Sequence, residues 1–167
     1  MREENGALFC DEPVFAADPA VVAMIKQRAL ASPQRGARLY LHRDNGQPML
    51  EALVAATPAA TRPPHCHADR YETHVFLEGR ATAFLFDDQG ALTRRVELGP
   101  PGRDTPCCLS AGPGEWHMIA FRAEMTVYYE VTPGPYTGPG MVRWADWAPA
   151  PDDVDGVAQF LKRLEAP

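Results

Sequence analysis

Cysteine is scarce in this chain, and its few residues are poorly placed for cross-linking or for a thiolate metal site. The four cysteines are Cys10, Cys66, Cys107 and Cys108, two of which are adjacent. No CxxC pair is present, so the sequence predicts neither a disulfide framework nor a cysteine-type zinc site. Residues 1–11 are polar and charged and do not resemble a signal peptide. We therefore expect free thiols in a reducing compartment, and a cytoplasmic protein.

Long apolar runs and clustered positive charge are also missing. No stretch approaches the roughly 18–20 consecutive apolar residues that a membrane span needs. The chain has 22 acidic and 16 basic residues, for a formal net charge of −6, and no local cluster of Lys or Arg. A polyanion binds poorly to such a surface. We therefore expect neither a membrane nor a nucleic acid as a partner, and a small molecule becomes the natural ligand class.

What the sequence does have is a series of short apolar runs separated by turn residues. Its 17 prolines and 13 glycines cluster between these runs, which is typical of an all-β protein. A length of 167 residues fits one domain. The pattern predicts an antiparallel sandwich or a closed jelly-roll barrel. Strands are expected at residues 38–41, 49–55, 60–67, 72–78, 81–86, 92–98, 107–109, 117–121 and 126–131.

Two short helices are expected to flank these strands. Asp18 is a good N-cap and Pro19 fits the first helical position, so a helix over residues 20–30 is predicted. Residues 152–164 have apolar side chains at helical three-four spacing. We divide the chain into an N-terminal helical or extended segment (1–37), a β-barrel (38–149) and a C-terminal helix (150–167), one domain in all. Between barrel and helix, Trp144 and Trp147 are expected to anchor a proline- and glycine-rich loop on apolar surface.

Three of the five histidines and one glutamate are spaced so that their side chains could point to a single site. His65 and His67 are two residues apart and so face the same side of a strand, and Glu72 follows a short polar turn. His117 comes later, just after the turn at residues 112–114. Three imidazoles and one carboxylate suit Zn, Fe, Mn, Ni or Co and fit poorly with calcium. The alternative is that each histidine is a hydrogen-bonded core residue. Their common spacing favours a metal site.

At these residues the chain resembles the cupin superfamily. The run His65-x-His67-x4-Glu72-x6-Gly79 looks like the first cupin motif, with Gly79 ending a strand at a tight turn, and Gly114-x2-His117 looks like the second. The stretch 64–98, with Trp116-His117 and Gly134-Pro135-Tyr136, is similar to the WbuC-type cupin-fold metalloproteins, often encoded with lipopolysaccharide O-antigen genes.

The resemblance implies an all-β fold, an antiparallel double-stranded β-helix (a jelly-roll cupin barrel) with short flanking helices. It also implies that His65, His67, Glu72 and His117 hold one divalent transition metal. Cupin barrels commonly pair, so a homodimer is expected, with residues 20–30 and 38–41 crossing between subunits.

The two remaining histidines have separate interpretations. His74 shares a face with Glu72, so it is a candidate partner of the ligands or a catalytic proton carrier. A core histidine bonded to the backbone is the alternative. His42 follows an apolar strand end and is interpreted as structural.

Two functions are compatible with this sequence. The first is a metal-dependent enzyme, an oxygenase or isomerase, acting on a small sugar or carboxylate. The second is a non-catalytic, metal-containing module that binds such a molecule. A catalytic ion needs an open coordination position facing a pocket, which we expect to be lined by aromatic residues such as Phe76.

Overall fold

The computed structural model describes residues 1–4 and 7–166. Over this part of the chain, twelve strands form two sheets and two α-helices flank them. The strands are β1 (Arg2–Glu4), β2 (Ala7–Phe9), β3 (Gly36–Tyr40), β4 (Met49–Ala56), β5 (His65–Cys66), β6 (Glu72–Glu78), β7 (Ala81–Phe86), β8 (Leu92–Leu98), β9 (Cys108–Ala111), β10 (Trp116–Phe121), β11 (Thr126–Pro133) and β12 (Arg143–Trp144). The helices are α1 (Pro19–Ala31) and α2 (Val154–Glu165). None of the described helices has the length and apolar content that a membrane span requires.

The two sheets divide the strands in a jelly-roll arrangement. The first sheet has the order β1-β2-β3-β4-β11-β6-β9 and the second the order β12-β5-β10-β7-β8. The described pairings are antiparallel except for β2 with β3. The predicted all-β, antiparallel fold with flanking helices is therefore confirmed.

The space between the sheets is apolar at one end and polar at the other. Strand alternation turns every second side chain inward, and on β6 the inward residues are Glu72, His74 and Phe76. The apolar interior is formed by Ala52, Val54, Phe76, Ile119, Phe121 and Tyr128, among others. Titratable side chains are thus confined to the other end of the barrel.

Each helix covers the outer face of one sheet. Asp18 Oδ1 caps α1 by accepting from the Val21 amide at 2.9 Å, and Ile25 and Ala29 pack against Leu39, Leu53, Ala55 and Val127 of the first sheet. Asp153 caps α2, whose Val157, Phe160 and Leu161 pack on Phe84, Phe86, Trp116 and Met118 of the second sheet. Both helices begin within two residues of where the sequence predicts them.

One predicted strand is wrong, and one pair of strands was not predicted. The predicted strand over 60–67 contributes only His65–Cys66 to a ladder, because Pro63 and Pro64 have no amide hydrogen to donate. The N-terminal hairpin of β1 and β2 is missed. It places β2 beside β3, so β3 is paired on both sides by its own chain. On this side of β3 the register partners lie at Leu39 and Tyr40.

The two tryptophans have different environments. Trp147 packs against Phe86, Trp116 and Phe160, with ring centroids 5.2, 5.8 and 6.3 Å away, so it does anchor this part of the chain. Trp144 pairs with His65 through β12 and β5, remains 37% exposed, and lies with its ring 5.1 Å from that of His65. The expectation of an apolar anchor is wrong for Trp144, which borders the histidine cluster.

The turn after β6 depends on a glycine. Gly79 has φ of +80°, and a Cβ there would lie 2.6 Å from the Met125 carbonyl oxygen. We expect Gly79→Ala to lower the free energy of unfolding by roughly 3 kcal/mol or more, because backbone strain and a backbone clash add. Gly102 is the matched control, with φ of +85° and open space where a Cβ would lie. Gly102→Ala should cost only the conformational part, about 1–2 kcal/mol. Urea unfolding measures both, and equal losses would contradict the packing argument.

Candidate metal centre

The structure brings His65, His67, Glu72 and His117 together. His65 on β5 and His117 on β10 are register partners in the second sheet, and Glu72 begins β6 in the first sheet. One ligand atom from each of the four residues lies within 4.8 Å of the others. The cluster therefore joins the two sheets at the polar end of the barrel.

The carboxylate lies between the imidazoles. Nε2 of His117 is 3.1 Å from Oε2 of Glu72, and Nε2 of His67 is 3.4 Å from Oε1. The ring centroids of His65 and His117 are 4.5 Å apart. Each Glu72 oxygen thus faces a different histidine, which is an arrangement that one cation between them would satisfy.

Backbone carbonyls orient all three imidazoles. Nδ1 lies 3.0 Å from the Pro63 oxygen in His65, 2.9 Å from the Met141 oxygen in His67 and 2.9 Å from the Glu115 oxygen in His117. A carbonyl accepts only, so each Nδ1 carries a proton and donates it, and Nε2 is the ring nitrogen left to face Glu72 or a metal. Nε2 of His67 is buried without a hydrogen-bond partner among the described residues. These residues fit a divalent transition metal, which takes neutral imidazole and carboxylate ligands.

The electrostatics of the cluster also favour a metal. Burial, with the neighbouring His117, lowers the pKa of His65 to about 4, so His65 is a neutral ligand at physiological pH. Burial alone would raise the pKa of Glu72, but His74, His117 and His67 outweigh it and hold that pKa well below the usual range. Burial would lower the pKa of His67, but the Glu72 carboxylate outweighs burial and raises that pKa above its ordinary value. The centre therefore has one fixed negative charge among its imidazoles.

His74 belongs to a second buried group that shares Glu72. Its Nε2 lies 3.7 Å from Oε2 of Glu72 and 3.6 Å from Oε2 of Glu130. The same Glu130 oxygen accepts a hydrogen bond from Arg38 Nη2 at 2.9 Å. Glu72, His74 and Glu130 are close enough to hold an ion. However, the Arg38 guanidinium already neutralises Glu130 and would repel a cation there, which makes this group a poorer metal site than the four-residue cluster.

In this second group burial disfavours the charged forms, but the neighbouring opposite charges favour them more strongly. Burial would raise the pKa of Glu130, but Arg38 and His74 bring that pKa below its ordinary value. Glu130 in turn raises the pKa of Arg38 further, against the effect of burial. The pair is therefore ionised inside the barrel.

Sequence reasoning missed Arg38 and Glu130 as site residues. One signal was available: Arg38 and Tyr40 alternate on one strand, which places the arginine on the same face as the aromatic residue. What the sequence alone does not give is the pairing of β3, β4 and β11, which brings Arg38 to Glu130.

A cavity of about 980 Å³ includes the four-residue cluster and extends past β3 to the N-terminal strands and the end of α1. Phe76 is fully buried and does not line it, so the expectation for that residue is wrong: its inward direction leads into packed core. The aromatic residues that line the cavity are Phe9, Tyr40, Phe121, Tyr128, Tyr136 and Trp144. All four candidate ligands and His74 line it as well.

His42 lies outside the cluster and is held by the backbone. Its Nδ1 is 3.0 Å from the Glu51 amide nitrogen, which donates to it. Its ring lies 5.0 Å from that of Tyr40 and 5.9 Å from that of Phe9. These contacts agree with a structural interpretation, although the residue also borders the cavity.

Comparison with known proteins supports the fold. The profile of a family described as a domain of unknown function, DUF6016, matches residues 17–98. No curated protein matches the chain. A conserved protein with a double-stranded β-helix domain from Klebsiella pneumoniae subsp. pneumoniae MGH 78578 is 17% identical. The alignment covers 77% of this chain and 95% of that one, with a TM-score of 0.52.

Weaker structural matches include enzymes. Oxalate decarboxylase from Lactobacillus farciminis is 21% identical with a TM-score of 0.42, over 54% of this chain. The alignment covers only 25% of the decarboxylase chain. KdgF from Halomonas sp. is 16% identical with a TM-score of 0.45, over 60% of this chain and 79% of that one. The fold and the site together define the class: a double-stranded β-helix of the cupin type, with a histidine and glutamate cluster that could hold a metal.

Proposed function

We propose that this protein is a metal-dependent cupin that binds a small organic molecule through one divalent ion and acts on it as an oxygenase or isomerase. The observation that carries this proposal is a set of three imidazoles, each held through Nδ1 by a backbone carbonyl, that lie beside the Glu72 carboxylate and line a large cavity. His65, His67, Glu72 and His117 would hold the ion. When bound, it would supply a Lewis acid for oxygen donors.

His74 is the proposed proton carrier of this function. It lies between the Glu72 and Glu130 carboxylates, and Nδ1 of its ring has no hydrogen-bond partner among the described residues. Burial would lower the pKa of His74, but the two carboxylates outweigh burial and raise that pKa above its ordinary value. His74 can therefore hold a proton beside the cavity wall without being a ligand itself.

The role of His74 is tested by its removal. We expect His74→Ala to keep stoichiometric Co(II), with affinity reduced by no more than about 10- to 100-fold, because it would act through Glu72. Glu72→Ala, the matched control, should lose stoichiometric binding because it removes a ligand. Equilibrium dialysis with metal analysis distinguishes the two variants. Loss of the ion from His74→Ala would make His74 a ligand and contradict the assignment.

The proposed function is tested by the coordination of the ion. Protein purified without chelator or a nickel tag is analysed for metal, then loaded with Co(II) and titrated with azide and with butyrate. A catalytic ion keeps an exchangeable position, so its visible spectrum should shift with either probe. A spectrum unmoved by both would leave the alternative, a structural metal within a binding module.

The remaining parts of the proposal concern context. The motifs at 64–98 and 112–117 support a relationship to the WbuC-type cupins, and the free cysteines support a cytoplasmic location. The packing of α1 and α2 on the sheets supports one domain built from 1–37, 38–149 and 150–167. A small molecule, rather than nucleic acid or a membrane, is the proposed partner.

A homodimer is also part of the proposal. The described strands at the sheet edges are β1 and β9 in one sheet and β12 and β8 in the other, and exposed edges favour pairing with a second chain. Light scattering at tens of micromolar should give twice the chain mass of 18.3 kDa. A monomeric mass would contradict it.

A further inference from the structure

Arg38 is a charged side chain with unused hydrogen-bonding capacity inside the barrel. Among the described residues it donates one hydrogen bond, to Glu130, although a guanidinium has five N–H donors. Its side chain keeps 45% of its accessible surface while that of Glu130 keeps 14%. Arg38 lines the cavity, so this accessible surface includes a face that a ligand can reach.

The charge of the cavity favours an anion once a metal is bound. Four arginines and four glutamates of the described chain line it, so their formal charges cancel. A divalent ion at the four-residue cluster would leave the cavity positive. An anionic ligand would restore the balance, and a neutral one would not.

Arg38 is also within a small molecule's reach of the cluster. Contacts of 2.9, 3.6 and 3.7 Å link Arg38 to Glu130, Glu130 to His74 and His74 to Glu72 in series. Part of the cavity wall is apolar and includes Ala52, Val54 and Ile119. An apolar wall would leave the hydroxyl groups of a sugar without hydrogen-bond partners, which costs free energy. The same wall can pack against a short hydrocarbon stem.

We propose that Arg38 binds a carboxylate of the small molecule whose other end is bound at the metal centre, so that the ligand is a carboxylic acid with a short apolar stem. A planar carboxylate matches the fork of a guanidinium, which can donate two parallel hydrogen bonds. Glu130 occupies part of that fork and orients it. The contact between the ligand and the metal rests on the proposed function. The contact between the ligand's carboxylate and Arg38 rests on the geometry of this chain.

The inference predicts a preference between two probes on the Co(II)-loaded protein. Glutarate has a second carboxylate for Arg38, and butyrate has only one for the metal. We expect glutarate to bind roughly 10- to 100-fold more tightly than butyrate, as measured by isothermal titration, because it adds a charge-assisted pair.

Two variants assign the preference to Arg38. The double variant Arg38→Gln with Glu130→Gln keeps a neutral pair of similar size, which avoids leaving Glu130 buried without a counter-ion. It should bind the two probes with equal affinity. Glu130→Gln alone frees the guanidinium from its competing carboxylate and should tighten glutarate binding severalfold. A purely structural ion pair would instead lose affinity for both probes alike in each variant.

The outcomes separate this inference from the proposed function. If the double variant keeps the wild-type preference, or the wild type shows none, the role of Arg38 is overturned while the metal centre stands. If Co(II) is not retained, or neither azide nor butyrate changes its spectrum, the proposed function is overturned and this inference with it. Circular dichroism of each variant verifies that the barrel is folded.

Discussion

Saturating Co(II) should stabilise the wild-type protein against unfolding and leave His117→Ala unaffected. His117 is 1% exposed, and its Nε2 lies 3.1 Å from Glu72. The four ligands come from both sheets, so the native barrel assembles them and the unfolded chain does not. A ligand that binds only the native state adds about 2.7 kcal/mol at a concentration of 100 times its dissociation constant.

His42→Ala is the matched control for this experiment. His42 is also a buried histidine, 7% exposed, with backbone contact through Nδ1, but it lies outside the cluster. Its removal should lower the baseline stability and leave the metal-induced increment intact. Thermal unfolding with and without Co(II) gives both quantities for the three proteins. An equal increment in His117→Ala and wild type would place the ion elsewhere.

Three of the four candidate ligands could be predicted because they are close together in the sequence. His65 and His67 are fixed on one face by the two-residue period of an extended chain, and Glu72 opens the next strand. The prediction failed beside them, at 60–67, because alternation of apolar residues suggested a strand where Pro63 and Pro64 prevent pairing. This pair of candidate ligands thus lies at the end of a proline-rich segment rather than on a long strand.

The second buried group could not be predicted because it depends on pairing between distant segments. Arg38 and Glu130 are separated by 92 positions and meet across β4, which lies between their strands. An isolated arginine on a short strand is ordinarily a solvent-facing residue. Only the register of the sheet places it inside. The N-terminal hairpin was missed for a similar reason, since its strands are three residues each and too short to show a period.

The floor of the cavity between Arg38 and the metal centre is formed by a small residue. Ala52 on β4 is directly opposite Glu130 on β11 and Tyr40 on β3, and it is 2% exposed and lines the cavity. Its methyl side chain leaves space that a ligand's stem would fill. A larger side chain at this position should therefore compete with the ligand without touching any of the four candidate ligands.

We expect Ala52→Leu to weaken butyrate and glutarate binding to the Co(II)-loaded protein by at least about tenfold, since a few added carbons in a binding pocket have effects of this size. Co(II) should remain bound, because Ala52 is not one of the four candidate ligands. Ala55→Leu is the matched control: Ala55 is on the same strand, faces outward and packs under α1. There the same substitution overpacks a filled interface, which should lower the free energy of unfolding by about 1–3 kcal/mol while leaving both probe affinities unchanged. Isothermal titration and urea unfolding of the two variants measure both effects. Equal losses of affinity in Ala52→Leu and Ala55→Leu would show that the molecule binds outside this cavity.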